Sequence, residues 1–199
     1  MCYFKGEAMP PKIKYTKEYI GDYAFEYVRK EGADALSARN LAKGLGISTA
    51  PLFTAFDSID EIRQGVATRA FALYSNYIKK GLSEPIPFKG AGLAYIKFAK
   101  EEPQLFKMLF MSAARDESPS HFYPEGDKNA PAICLSAKGS YNLSDTQAKK
   151  LYNHLSVYVH GIAVLYAQGR NVFTDNDVSE MMSEVFNALL KEINDEKHN

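Results

Sequence analysis

The sequence predicts an all-α protein in two parts. A three-helix unit holding a helix-turn-helix spans residues 12–57, a larger helical domain spans 58–195, and there are about nine helices in all. Three observations predict it. Apolar residues recur every three or four positions in segment after segment, with no convincing alternating strand. Capping signatures mark helix starts at Ser37, at Ser58 with Glu61, and at Ser144 with Gln147. Two short apolar segments flank Gly46, and the second carries Pro51 at its head.

The first helix spans roughly Thr16 to Lys30, with Ile20, Tyr23, Ala24, Tyr27 and Val28 on one face, and Gly32 ends it. Ser37 caps a short second helix whose inner face is Ala38, Leu41, Ala42 and Leu45. Gly46 follows, where the exit needs a residue comfortable at positive φ. Ser48 caps the third helix, and Pro51 costs little in a first turn whose N–H groups lack intrahelical partners. Leu52 and Phe56 anchor that helix inward, which leaves Thr49, Ala50 and Thr54 facing out.

A fourth helix starts near Ile59 and runs to about Lys80, with Ile59, Ile62, Val66, Ala70, Leu73 and Tyr77 on its apolar side. Gly81 and the Pro85-Ile86-Pro87 run break it. Phe88 to Lys100 and Pro103 to Ala113 read as two further helices. Arg115 to Asn129, polar and holding two prolines and a glycine, reads as a mobile loop. A short helix follows near Pro131 to Lys138. A long one opens at Ser144 and reaches about Gln168, with Leu151, Leu155, Tyr158, Ile162 and Leu165 in register. Thr174 caps the last helix, whose stripe is Val178, Met182, Val185, Leu189 and Ile193. No flexible linker separates the two parts, so the boundary passes through the fourth helix.

Composition narrows the function classes. The chain has 199 residues, 46% hydrophobic and 24% charged, which suits a folded globular protein. Net charge is zero, so no global field favours nucleic acid. Residues 1–43 hold eight basic against six acidic side chains, a small local excess of the sign a DNA-binding unit needs. Cys2 and Cys134 provide neither a disulfide framework nor metal-ligand spacing; Cys2 falls in a loose tail, and Cys134 reads as a small helix hydrophobe. No span of about 18 apolar residues and no signal sequence occur, so a cytoplasmic protein without membrane contact is expected. Met9 is a plausible alternative start. The histidines are His121, His154, His160 and His198. His154 and His160 lie on different helix faces, and no zinc, serine-hydrolase or phosphate-loop motif occurs. Neither catalysis nor a cofactor is expected.

Small side chains at Thr49, Ala50 and Thr54 let a backbone approach base edges in a major groove. Ser37 and Arg39, at the N-terminus of the second helix, are placed to meet phosphate, and Ser48 heads the third. Lys12, Lys14, Lys17 and Lys43 are candidate cations for the DNA backbone. The segment from Lys14 to Ile62, including YAFEYVRKEGADALSARNLAKGLGISTAPLFTAFDSIDEI, resembles the tetracycline-repressor (TetR/AcrR) family of bacterial transcription regulators. More weakly, Tyr95 to Phe110 and Val159 to Gly169 resemble the ligand-binding half of its Trp-His-Gly subgroup, with Val159-His160-Gly161 replacing that signature. The resemblance implies a regulator, usually a repressor, that binds double-stranded DNA as a homodimer and answers a small-molecule effector. Three places depart from the family, one of them Thr54-Ala55, where many relatives carry a His or other polar pair. Phe53 stands where many relatives carry Tyr, and Ile59 where they carry Lys, so two phosphate donors are lacking. A dimeric helical ligand-binding or interaction protein with weak or lost DNA binding is therefore the alternative.

One copy of the three-helix unit holds few charges, so two copies about 34 Å apart on a palindrome are expected. Val157 to Ala167 is apolar on nearly every face and must bury two sides. Leu155, Ile162 and Leu165, with Met182, Val185 and Leu189, are the expected dimer interface. The expected effector pocket is lined by Phe71, Tyr74, Phe98, Phe106, Met108, Phe110, Tyr158, His160 and Tyr166. Thirteen tyrosines favour a pocket for an aromatic or largely apolar molecule, because buried hydroxyls need partners.

Overall fold

A computed structural model describes residues 15–111 and 127–195, and among them nine α-helices and no strand. They are α1 (Lys17–Glu31), α2 (Ala38–Leu45), α3 (Ala50–Ala55), α4 (Ile59–Leu82), α5 (Pro87–Glu101), α6 (Pro103–Phe110), α7 (Ala130–Tyr141), α8 (Asp145–Ala167) and α9 (Asp175–Asp195). Helices α1 to α3 form the small unit. Helix α5 is the centre of the larger one, packing on α4, α6, α7 and α8, while α9 runs back along α8.

Local chemistry sets most helix ends. The Thr16 hydroxyl accepts from Tyr19 N–H at the start of α1, and Gly32 at φ 89° ends it. Pro87 and Pro103 each occupy the first position of a helix and Pro131 the second, where a missing N–H breaks no bond. Helix α8 opens on a complete capping box. Gln147 N–H donates to the Ser144 hydroxyl at 3.3 Å, and Ser144 N–H donates to the Gln147 side chain at 3.0 Å. Gln147 also donates to the Ile193 carbonyl at 3.2 Å, tying the start of α8 to the end of α9. Thr174 and Asp177 exchange the same pair of bonds at the head of α9.

Helices α4 and α5 approach at the backbone. A Cβ on Gly81 would lie 2.4 Å from the Gly90 carbonyl oxygen, and one on Gly90 would lie 2.1 Å from that of Gly81. Only paired glycines permit this crossing.

Several expectations shift. The buried side of α4 is Ile62, Val66, Ala70, Tyr74, Ile78 and Gly81, so beyond Ala70 it leaves Leu73 and Tyr77 at the edge. There the Tyr77 hydroxyl donates to Glu101 at 2.7 Å. The stripe of α8 likewise uses Val159 and Tyr166 in place of Tyr158 and Leu165, because α5 and α7 cover that side. A short 3₁₀ turn, Ala33–Ala35, lies between α1 and α2 without having been expected. Helix α7 runs to Tyr141, three residues past the expected end, and closes on Asn142 at φ 52°. Helix α6 ends at Phe110 rather than Ala113. Most of the expected Arg115–Asn129 loop lies outside the described residues. Its end does not, and there Asp127 accepts from the Tyr74 hydroxyl and from Asn129.

Candidate nucleic-acid interface and interior cavity

The helix-turn-helix is held by short-range bonds. The Ser37 hydroxyl accepts from Asn40 N–H at 3.2 Å, and the Asn40 side chain donates to the Ala35 carbonyl at 2.8 Å. Gly46 sits in the left-handed region at φ 69°, and Ile47 N–H reaches back to the Ala42 carbonyl at 3.0 Å. The hydroxyl of Tyr23 lies over Gly44, where a Cβ would come within 2.0 Å of it, so α1 and α2 pack closely. Leu52 and Phe56 are buried, as their spacing predicts.

Helix α3 starts one residue later than expected. Thr49, not Ser48, takes the cap position, and it makes no side-chain capping bond because its backbone is already helical there. Ser48, Thr49, Ala50 and Thr54 are all exposed. The Thr54 hydroxyl donates to the Ala50 carbonyl at 3.0 Å, which leaves its oxygen as an outward acceptor. Phe53 is 50% exposed on the same helix, so a ring stands beside the small groups expected to face out.

The expected phosphate cations divide. Arg39 and Lys43, four apart on α2, are exposed and have no ion-pair partner among the described residues. Ser37 is half-buried and engaged in its cap. Lys17 is not a free cation. Its ammonium pairs with Glu61 and lies 4.9 Å from the centre of the Phe56 ring. That ammonium and the Asp57 N–H together hold the Glu61 carboxyl below its ordinary range. Lys12 and Lys14 lie outside the described residues.

Two polar clamps join this unit to the rest. Arg69 on α4 pairs with Asp22 at 2.6 Å and lies over Phe25. Arg29 at the end of α1 donates to both oxygens of Glu102, its Nε bond measuring 2.7 Å. Glu102, between α5 and α6, is the buried charged residue of the described core, and its carboxylate holds the guanidinium protonated well above the usual arginine range.

The larger domain contains a cavity of about 740 Å³ between α4, α5, α6, α7, α8 and α9. At its inner end Tyr74, Tyr95 and Phe110 pack together, with ring centres 5.0–5.8 Å apart. Asp127 and His160 join them there. The Tyr74 hydroxyl donates to Asp127 at 2.6 Å, and the Tyr95 hydroxyl bonds His160 Nδ1 at 2.8 Å. Burial pushes the Tyr74 and Tyr95 phenols up, the Asp127 charge adding to it, and burial pushes the His160 imidazole down. The outer end holds Phe88, Tyr141 and Phe186, and it opens beside Val157 and Gly161 on the outward face of α8.

Of the expected pocket residues, the cavity wall holds Tyr74, Phe110 and His160. The other six do not line it. Phe98 and Phe106 are fully buried behind Tyr74 and Tyr95, as packing within the α4–α5–α6 core. Phe71 sits edge-on to Tyr74, outside the wall. Tyr166 donates to the Phe173 carbonyl at 2.7 Å and closes the turn into α9. Met108 and Tyr158 are half-buried on faces turned elsewhere. Missed in the sequence were Tyr95, Tyr152 and Asp127. Tyr152 is in step with Leu155 and Val159, a spacing that could have found it.

The expected dimer surface also needs correcting. Leu155, Ile162 and Met182 are buried against their own chain, and Leu155 and Met182 face the cavity. Leu165, Val185 and Leu189 remain half-exposed, and Val157, on α8 like Leu165, is 73% exposed.

A helix-turn-helix rigidly joined to a hollow helical domain defines a class of two-part, single-chain proteins. Residues 88–191 match the family model for the tetracyclin repressor-like C-terminal domain. That is more than half of the chain, which therefore belongs to the tetracycline-repressor family of transcriptional regulators. The chain is also 24% identical over 186 residues to an HTH-type transcriptional regulator of Mycobacterium tuberculosis, covering 91% of this chain and 82% of that protein. Among the described residues no helix is long and apolar enough to cross a membrane.

Proposed function

We propose that the chain is a ligand-responsive repressor. Two copies, joined through the outward sides of α8 and α9, present residues 48–54 to successive major grooves of a palindromic operator. A largely apolar or aromatic effector in the cavity releases them.

The observation that carries this reading is the position of α6. Its Phe110 end stands in the cavity wall. Its Pro103 end lies against α1 and the 3₁₀ turn, where Glu102 holds Arg29 and Gln104 packs over Gly32. An occupant that prefers a displaced Phe110 therefore also favours a different seating of the small unit, and that is a population shift. The M. tuberculosis relative is named an HTH-type transcriptional regulator, which supports the regulator part of this reading. With zero net charge, affinity for DNA rests on local groups: Arg39, Lys43 and the helix N-termini.

The test is selection of bound sequences from random duplex DNA across a salt series. The expected result is a two-fold symmetric consensus with half-sites about one helical turn apart. Replacing both Thr49 and Thr54 by Ala should abolish sequence preference and leave helicity unchanged. Failure to bind any duplex at low ionic strength would refute the repressor. It would favour a dimeric ligand-binding protein without DNA, a reading supported by exposed Phe53 and by Lys17 being tied to Glu61.

A further inference from the structure

The charge inside the cavity narrows what the cavity takes. Asp127 contributes its carboxylate to the inner end, where it accepts from the Tyr74 hydroxyl at 2.6 Å and from Asn129 N–H and Nδ2 at 2.8 and 3.0 Å. These donors are all neutral. Among the described residues no lysine, arginine or histidine pairs with it. Its charge reaches the Tyr74, Tyr95 and Tyr152 hydroxyls and helps raise all three. Asp127 is half-buried, so an uncharged occupant closing over it would strip its remaining water and supply no counter-charge, which costs free energy. An occupant with a positive group at that end would supply it. The π faces of Tyr74, Tyr95 and Phe110 would add cation–π attraction.

Among the described residues the other charge in the wall is Lys89, six residues before Tyr95 on α5 and so about 9 Å from it along the helix. It is half-exposed and donates to the Ser183 hydroxyl at 2.9 Å. It stands near the open end and does not neutralise Asp127.

We propose that the cavity binds a lipophilic cation, an aromatic or apolar body carrying an amine or quaternary ammonium group that docks against Asp127 between Tyr74, Tyr95 and Phe110. This rests on the cavity being the effector site and names the effector's charge.

The test uses three probes of one skeleton and isothermal titration calorimetry on the full chain. They are (naphthylmethyl)trimethylammonium, its uncharged carbon isostere and naphthylacetate. The cation should bind about tenfold or more tightly than the isostere, with naphthylacetate weakest. Asp127→Asn should remove that preference while leaving the isostere's affinity within about twofold. Phe110→Leu, which keeps the site apolar but removes a π face, should weaken the cation more than the isostere. Thermal melts of both variants establish that they are folded. If the isostere or naphthylacetate binds as well as the cation, or if Asp127→Asn leaves the preference intact, the inference is overturned and the cavity remains an effector site. If none of the three binds at millimolar concentration, the inference and the effector-site reading both fail.

Discussion

Replacing Arg29 by Met should destabilise the protein far more than loss of an ordinary surface ion pair. Glu102 is 5% exposed and accepts two hydrogen bonds from the guanidinium, whereas Arg29 is itself 43% exposed. Exposed pairs are worth about 0–1 kcal/mol, but stranding one buried partner costs about 3–5 kcal/mol. Because water reaches the arginine side of this pair, the cost falls at or just below the bottom of that range. The expected loss is about 2–3 kcal/mol, or about 5–10 °C in melting temperature for a chain of this size. Most of it comes from the abandoned carboxylate, so Arg29→Met combined with Glu102→Leu should recover at least half. Urea unfolding followed by circular dichroism at pH 7 measures both variants against the parent. A single variant within about 0.5 kcal/mol of the parent, or a double variant worse than the single, would show that Glu102 is not a desolvated charge.

Other substitutions probe other levels of the architecture. Gly81→Ala should cost about 2–3 kcal/mol by overpacking against the Gly90 carbonyl, while Gly65→Ala, with open space beside it on the same helix, should stabilise by up to about 1 kcal/mol; thermal melts that rank them otherwise would contradict the α4–α5 crossing. His160 has its imidazole pushed down by burial, so the unfolded chain takes up the proton first as pH falls. The native state should therefore be favoured above pH 6.5 and lose stability as pH drops below it, and His160→Gln should flatten the urea midpoint across pH 5–7.5. Val157→Asp together with Leu165→Asp should yield monomers in sedimentation velocity without loss of helicity, since both side chains lie at the outer surface of α8; an unchanged dimer would move the interface elsewhere.

What was legible in the sequence was local. Ser37, Gly46, Ser58 and the Ser144–Gln147 box fix helix ends through bonds spanning three to five residues, so the residues themselves announce them. Helix sides were less legible. On α4 both the Leu73–Tyr77 and the Tyr74–Ile78 rows are apolar, and only the glycine crossing with α5 decides that the second is buried. The same choice on α8 turned Leu155 and Ile162 inward and left Leu165 outside. The cavity was least legible, because aromatic residues that fill a core and those that line a hole share one periodicity. Phe98 and Tyr95, three apart on α5, differ only in what lies opposite. Asp127 reads as a solvated loop carboxylate until the fold brings it to Tyr74.

Helix α6 has eight residues, and Leu105 and Phe106 near its middle are fully buried. On the proposed reading, this short helix, pinned at its centre and engaged at both ends, would tilt rather than slide, so displacing Phe110 at one end would displace the backbone beside Gly32 at the other. The energetic demand on a ligand follows. Driving a two-state equilibrium from 1:99 to 99:1 takes about 5.5 kcal/mol of differential binding. In the proposed dimer, two sites would halve that to about 2.7 kcal/mol each, roughly a hundredfold preference for one seating over the other. Repacking around one aromatic ring is of that order, since burying or exposing a Phe side chain is worth about 1.5–3 kcal/mol. If the chain works as the proposed dimer, an effector that did no more than reposition Phe110 would therefore have enough leverage to switch it with both copies filled.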